Sequence, residues 1–146
     1  MNSNYQFIFC AFILLLFSCK SSELPNSQLN DRTLLKGTWS DDYEINYMIK
    51  DQTWKMGNEI TFHILEWDES NQFVIVENDK SNAYNAGQYS RIDYIFLKDM
   101  KPYQWAFCLT AYDKETASDA RNTAAADGNN PKSGCNGFPF SRMKRK

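Results

Sequence analysis

Histidine is almost missing from this chain of 146 residues, which has one, His63. Any histidine-dependent triad, and most zinc sites, would have to run through that position. Glycine is scarce too, with 6 residues, and none is spaced as a phosphate-binding loop or a nucleophile elbow. No His-Glu-x-x-His occurs. Residues 1 to 18 carry no charged side chain, and the longest apolar run, Phe7 to Phe17, has 11 residues. A helix needs roughly 20 to span a bilayer, so that run has the length of a signal-peptide core and not of a membrane span. Net charge is −2, and the basic residues Arg142, Lys144, Arg145 and Lys146 leave the rest of the chain at about −6. An acidic body disfavours nucleic acid as a partner.

What is present at the N-terminus is specific. The apolar run ends in Leu16-Phe17-Ser18-Cys19 and gives way to a polar stretch. This resembles a bacterial lipobox: an aliphatic residue three before a cysteine, a small residue just before it, then the cysteine. The resemblance implies that residues 1–18 are a signal peptide and that Cys19 carries the lipid. Residues 19–32 then form a lipid-anchored flexible linker, rich in Ser, Asn and Gln, and 33–146 a single β-rich domain with a basic C-terminal tail. The expected location is the cell envelope at the outer membrane, with the membrane as partner through the N-terminal lipid. One acyl chain holds a protein only marginally, at about 0.8 kcal/mol per buried CH₂, whereas two or three on one residue retain it.

There are 4 cysteines. Cys10 leaves with the signal peptide and Cys19 is acylated. Cys108 and Cys135 remain in an oxidising compartment, so a disulfide between them is expected. Two cysteines and one histidine make a poor zinc set, and no metal or cofactor is expected.

Period-two alternation dominates the rest. Tyr43, Ile45, Tyr47 and Ile49 alternate with polar or flexible neighbours, as do Ile60, Phe62 and Ile64, then Ile92, Tyr94 and Phe96, then Tyr103, Trp105, Phe107 and Leu109. The continuous run in "QFVIVEN" reads as a strand buried on both faces. Turn-like stretches "DESN", "NDKSNAYNAG" and "KDMKP" separate them. Five strands in succession predict a mainly β fold, an antiparallel meander forming a small closed or half-open barrel. One short C-terminal helix is expected over 114–126, with Asp113 as N-cap and Ala117, Ala120 and Ala124 as its packing stripe. "GFPFSR" suggests a short final strand, and "RMKRK" a solvated terminus.

At Gly37-Thr38-Trp39 the chain resembles lipocalins and their relatives, which open their first strand with Gly-x-Trp. That resemblance implies a meander barrel, a helix after the last barrel strands, and a disulfide tying down the C-terminal tail. It also implies a late arginine packed over the tryptophan, here Arg121 or Arg142. The chain is short for eight strands, so a filled interior competes with an enclosed pocket.

Other motifs have plain readings. His63 sits on the polar side of a strand. Glu66, Asp68 and Glu69 fall at a hairpin turn, where acidic residues are common. "NDKSNAYN" lacks the spacing of a calcium loop. The aromatics are the stronger hint: Trp39 and Trp105 read as core, while Trp54, Trp67 and Tyr84 lie near turns and are the candidate ligand or partner contacts. The expected function is a non-enzymatic, membrane-anchored binding module for a small ligand or glycan. The alternative is a structural or surface lipoprotein that binds another protein.

Overall fold

The structure, a computed structural model, describes residues 30–146. The expected signal peptide, Cys19 and most of the expected linker lie outside the described residues. The described chain begins with a short helix, α1 (Asp31–Leu35), capped by the Asn30 side chain, which accepts from the Thr33 N–H. This helix brings Asp31 and Arg32 into the packed body: the Tyr94 hydroxyl donates to Asp31 at 3.1 Å, and Arg32 pairs with Asp51 at 3.0 Å.

Eight strands follow: β1 (Gly37–Ser40), β2 (Asn46–Ile49), β3 (Thr53–Met56), β4 (Ile60–Asp68), β5 (Phe73–Asn78), β6 (Tyr89–Phe96), β7 (Tyr103–Lys114) and β8 (Ser141–Arg145). Each pairs antiparallel with its neighbour, and β1 pairs with β8, so the sheet is a closed barrel. The barrel is complete within these residues. Eight strands fit in a short chain because β1, β2 and β3 have only 4 residues each.

Three sequence expectations change. "DQTWKMG", which is not among the five expected strands, contains β3. "RMKRK" is most of β8 and not a solvated tail: Met143 is fully buried, and Trp39 and Ser40 pair with Arg145 and Lys144. Its polar letters hide a strand in which Arg142 and Lys144 face outward while Arg145 shares the face of Met143. The helix α2 (Ala117–Arg121) is shorter than expected because β7 runs on to Lys114, and its N-cap is Thr116, not Asp113. Ala117 and Ala120 pack on Phe73, Ile75 and Tyr89, whereas Ala124 is exposed beyond the helix. That covering explains why β5 is buried on both faces: Val74 and Val76 point into the barrel core, and Phe73 and Ile75 sit under α2.

Alternation on β7 sends Trp105 and Phe107 inward and Ala106 and Cys108 outward. Cys108 bonds to Cys135, pinning the segment after α2 to the outer face beside Phe140. The same outer face buries an ion pair. Arg91 and Asp93, two residues apart on β6, meet at 2.8 Å with side chains 6% and 7% exposed. Asp93 also accepts from Thr110, and Arg91 donates to the Arg121 carbonyl and covers the Phe73 ring at 4.0 Å. Every charge in that cluster has a partner, which is the condition for burying it.

The interior is filled at one end. Trp39, Trp54 and Trp105 are each at most 1% exposed and meet edge to face, with centroids 5.4 Å (Trp39–Trp105) and 5.7 Å (Trp54–Trp105) apart. α1 closes this end, where the β2–β3, β4–β5 and β6–β7 turns also lie. The arginine over Trp39 is Arg145, 3.8 Å from the ring centroid, and not Arg121 or Arg142. Its guanidinium donates to the carbonyls of Lys36 and Leu34, the last acceptors of α1. Arg121 instead pairs with Glu66, and Arg142 with Asp42. Gly37 is required here: its φ is +130°, and an added Cβ would lie 2.0 Å from Arg145 Nη1.

Candidate functional site

The other end of the barrel is not filled. Two loops and the end of β7 build its rim. Between β1 and β2 the chain turns on Asp41. Its Oδ1 accepts from the N–H groups of Tyr43 and Ile45, both at 2.9 Å, and its Oδ2 accepts the Tyr47 hydroxyl at 2.9 Å. Glu44 takes a φ of 62° to complete the turn. The expected long strand therefore stops short, and Tyr43 and Ile45 stand at the rim, 77% and 39% exposed.

The β5–β6 loop is held by asparagines. Asn82 clamps Thr61, accepting from its N–H at 3.0 Å and donating to its carbonyl at 2.8 Å. Asn78 donates to the carbonyls of Asn85 and Tyr112 and accepts from Ser90. An amide side chain both donates and accepts, so each asparagine ties two strands of backbone together. The loop so fixed presents Tyr84, 83% exposed, and the β7 end adds Tyr112, 49% exposed.

Under this rim lie two adjoining cavities of about 300 Å³ and 270 Å³, which share Met56, Phe62 and Leu109 as walls. Tyr47, Trp54, Phe62 and Phe107 line the first, and Trp54 and Phe107 sit face to edge at 5.4 Å. Cys108, Cys135 and Ser141 also line it, because β8 starts only opposite Phe107 while β7 runs on to Lys114. The wall is thinnest there, and the disulfide forms part of its edge. Burial and the hydrogen bond to Asp41 push the Tyr47 hydroxyl far above its ordinary pKa, so it stays a neutral donor.

The sequence-predicted contacts separate. Tyr84 is on the rim of the second cavity. Trp54 is the second residue of β3, close after the β2–β3 turn, but it is 1% exposed and forms the floor of the first cavity. Trp67 is at the filled end, half-buried against the core, near the β4–β5 turn. His63 is half-exposed and hydrogen-bonds Asp79 at 2.6 Å on the outer face. The Ser81 hydroxyl and N–H, then His63, hold the Asp79 carboxyl well below its usual range. Asp68 caps the hairpin turn through Asn71, and Glu66 pairs with Arg121, so these carboxylates are occupied structurally. Among the described residues no cluster of three His, Cys, Asp or Glu is placed to hold a metal ion, and no helix is long and apolar enough to cross a membrane.

Sequence reasoning missed Tyr43 and Tyr112 as rim residues, along with the walls Met56 and Leu109. Tyr43 was hidden in a run that alternates through Ile49; the doubled Asp41-Asp42 before it is a turn signal that could have separated it. No family model, no curated protein and no solved structure matches the chain.

Proposed function

We propose that this chain is an exported, lipid-anchored, non-enzymatic protein that binds a small ligand at the mouth of its barrel, with Cys19 as the anchor point. The observation that carries the reading is the mouth itself: two adjoining apolar cavities, the first floored by Trp54, Phe62 and Phe107 with exposed Tyr43 at its edge, the second edged by exposed Tyr84 and Tyr112. Exposed aromatic rings over a concave apolar floor suit stacking on a flat ring, whether an aromatic compound or the apolar face of a sugar. The anchor rests on the sequence alone, on the run that ends at Cys19.

The reading is tested with a neutral apolar fluorophore, N-phenyl-1-naphthylamine, titrated into the chain from Lys20 to Lys146, which contains the complete barrel. Saturable enhancement is expected, with a loss of at least about tenfold in affinity for Leu109→Trp, which fills the shared wall. No saturable enhancement, or an unchanged affinity in a folded Leu109→Trp variant, would sink it.

A second reading has its own support. An outer groove of about 450 Å³ is lined by Leu97, Met100, Pro131, Pro139 and Phe140, with Tyr43 at its edge. An exposed apolar groove of this kind is what a protein-binding surface lipoprotein would present.

A further inference from the structure

The charges that line the two cavities are of one sign. Among the described residues Asp41 and Glu59 are the only charged ones lining either cavity, and no Lys, Arg or His lines them. The two cations that reach the β1–β2 loop are already paired with its acids. Arg142 meets Asp42 at 2.8 Å, and Lys144 meets Glu44 at 2.6 Å. Of the acids in this loop, Asp41 alone has no ion pair among the described residues, and it is the one that lines the cavity, 1% exposed. All three hydrogen bonds of its side chain are accepted from donors, and none of them comes from a cation. The rim adds the faces of Tyr43, Tyr84 and Tyr112, which are themselves negative.

We propose that the ligand of the barrel mouth is an organic cation, an ammonium group on an apolar body about the size of a substituted benzene ring, and not a carboxylate or other anion. The proposal rests on the mouth being a binding site. The cavity dictates the size: 300 Å³ admits one ring and a few methyl groups. The field dictates the sign: an anion would meet Asp41 and Glu59 with no donor cation to receive it, whereas a cation meets ring faces and a carboxylate in a largely dry wall.

Three probes of similar size separate the outcomes: benzyltrimethylammonium, benzyl alcohol and phenylacetate, each titrated calorimetrically into the chain from Lys20 to Lys146. The cation should bind at least about tenfold more tightly than the alcohol, and phenylacetate more weakly than either. The preference should shrink in high salt and in Glu59→Gln, whose side chain is exposed and does not endanger the fold. Asp41→Asn should reduce it further; because that residue also holds the β1–β2 turn, the Glu59→Gln result stands without it. Phenylacetate binding as well as the cation, or equal affinity for cation and alcohol, overturns the proposal and leaves the binding reading intact. Failure of all three to bind overturns both. Co-sedimentation with phosphatidylcholine vesicles, compared with soluble benzyltrimethylammonium, distinguishes a lipid headgroup from a free cation as the source of the ammonium.

Discussion

Trp39 is held by three different kinds of contact. Its Nε1 donates to the Leu35 carbonyl at 2.7 Å, its ring meets Trp105 edge to face, and Arg145 lies over its face. Trp105 and Trp67 differ, since the Nε1 of each is buried with no partner among the described residues. Trp39→Ala should therefore cost about 3–5 kcal/mol, a large part of the roughly 5–15 kcal/mol that holds a domain of this size. Trp54→Ala should cost about as much, because Trp54 is equally buried, while Tyr84→Ala on the rim should stay within about 0.5 kcal/mol of wild type. Thermal and urea melts of the three variants check this, and a Trp39→Ala protein that melts like wild type would remove the anchor role. Gly37→Ala carries its own test. The new methyl must displace Arg145 and the backbone must hold a positive φ, so a loss of about 1–3 kcal/mol is expected in the same melts.

At the scale of elements, the weakest seam is where β8 closes the barrel. Only two residue pairs join β1 to β8, and four join β7 to β8. The 27-residue separation between Cys108 and Cys135 spans α2 and most of the loop leading to β8. Closing such a loop should stabilise by about 3.5 kcal/mol on the chain-entropy model. The double variant Cys108→Ser, Cys135→Ser should melt lower by about that amount. It should also lose probe binding at the mouth before it loses the barrel, because the bond edges the first cavity. A variant with unchanged binding and unchanged melting would show the disulfide to be idle.

For the whole molecule, the ionisable surface sets two limits of pH. Burial raises the Asp42 carboxyl, but the hydrogen bonds and charge of Arg142 together outweigh it, and the group is lowered overall. Glu44 is lowered by Lys144, and Asp51 by Lys36. A lowered carboxyl adds stability that is complete above the ordinary value of about 4 and is lost as pH falls through the folded value. Tyr47 is raised, so its contribution is complete below the ordinary value of about 10 and is lost as pH rises beyond it. Melting temperature should be flat between about pH 5 and pH 9 and fall on both sides. Asp42→Asn should make the acid limb shallower, and an acid limb of unchanged slope would show that the Arg142 pair contributes nothing. The anchor is also a property of the whole molecule. Labelled palmitate should enter the wild-type chain and not Cys19→Ser, and equal labelling would refute the lipid reading.

β4, β6 and β7 were legible because apolar residues facing the barrel core recur every second position, and β5 because its unbroken apolar run marks burial on both faces. The β3 strand was not, since Thr53 to Met56 is too short to show a period. Only the start of the closing strand β8 was legible, in "GFPFSR"; the rest was not, because its buried residue, Met143, lies between Arg142 and Lys144, which face outward. The disulfide followed from composition once Cys10 and Cys19 were set aside. The sequence by itself determined a β meander, the Gly37–Trp39 opening and the Cys108–Cys135 pair, all of which depend on local pattern or on counting. Only the tertiary structure decided that Arg145 is the residue over Trp39, that Trp54 is a floor and not a rim, and that Tyr43, Tyr84 and Tyr112 stand at one end of the barrel over two adjoining cavities. Residues 41 positions apart (Tyr43 and Tyr84) and 28 apart (Tyr84 and Tyr112) share that mouth because antiparallel strands return the chain to the same end of the barrel every second strand. That juxtaposition is set by closure and register, which no single stretch of the sequence encodes.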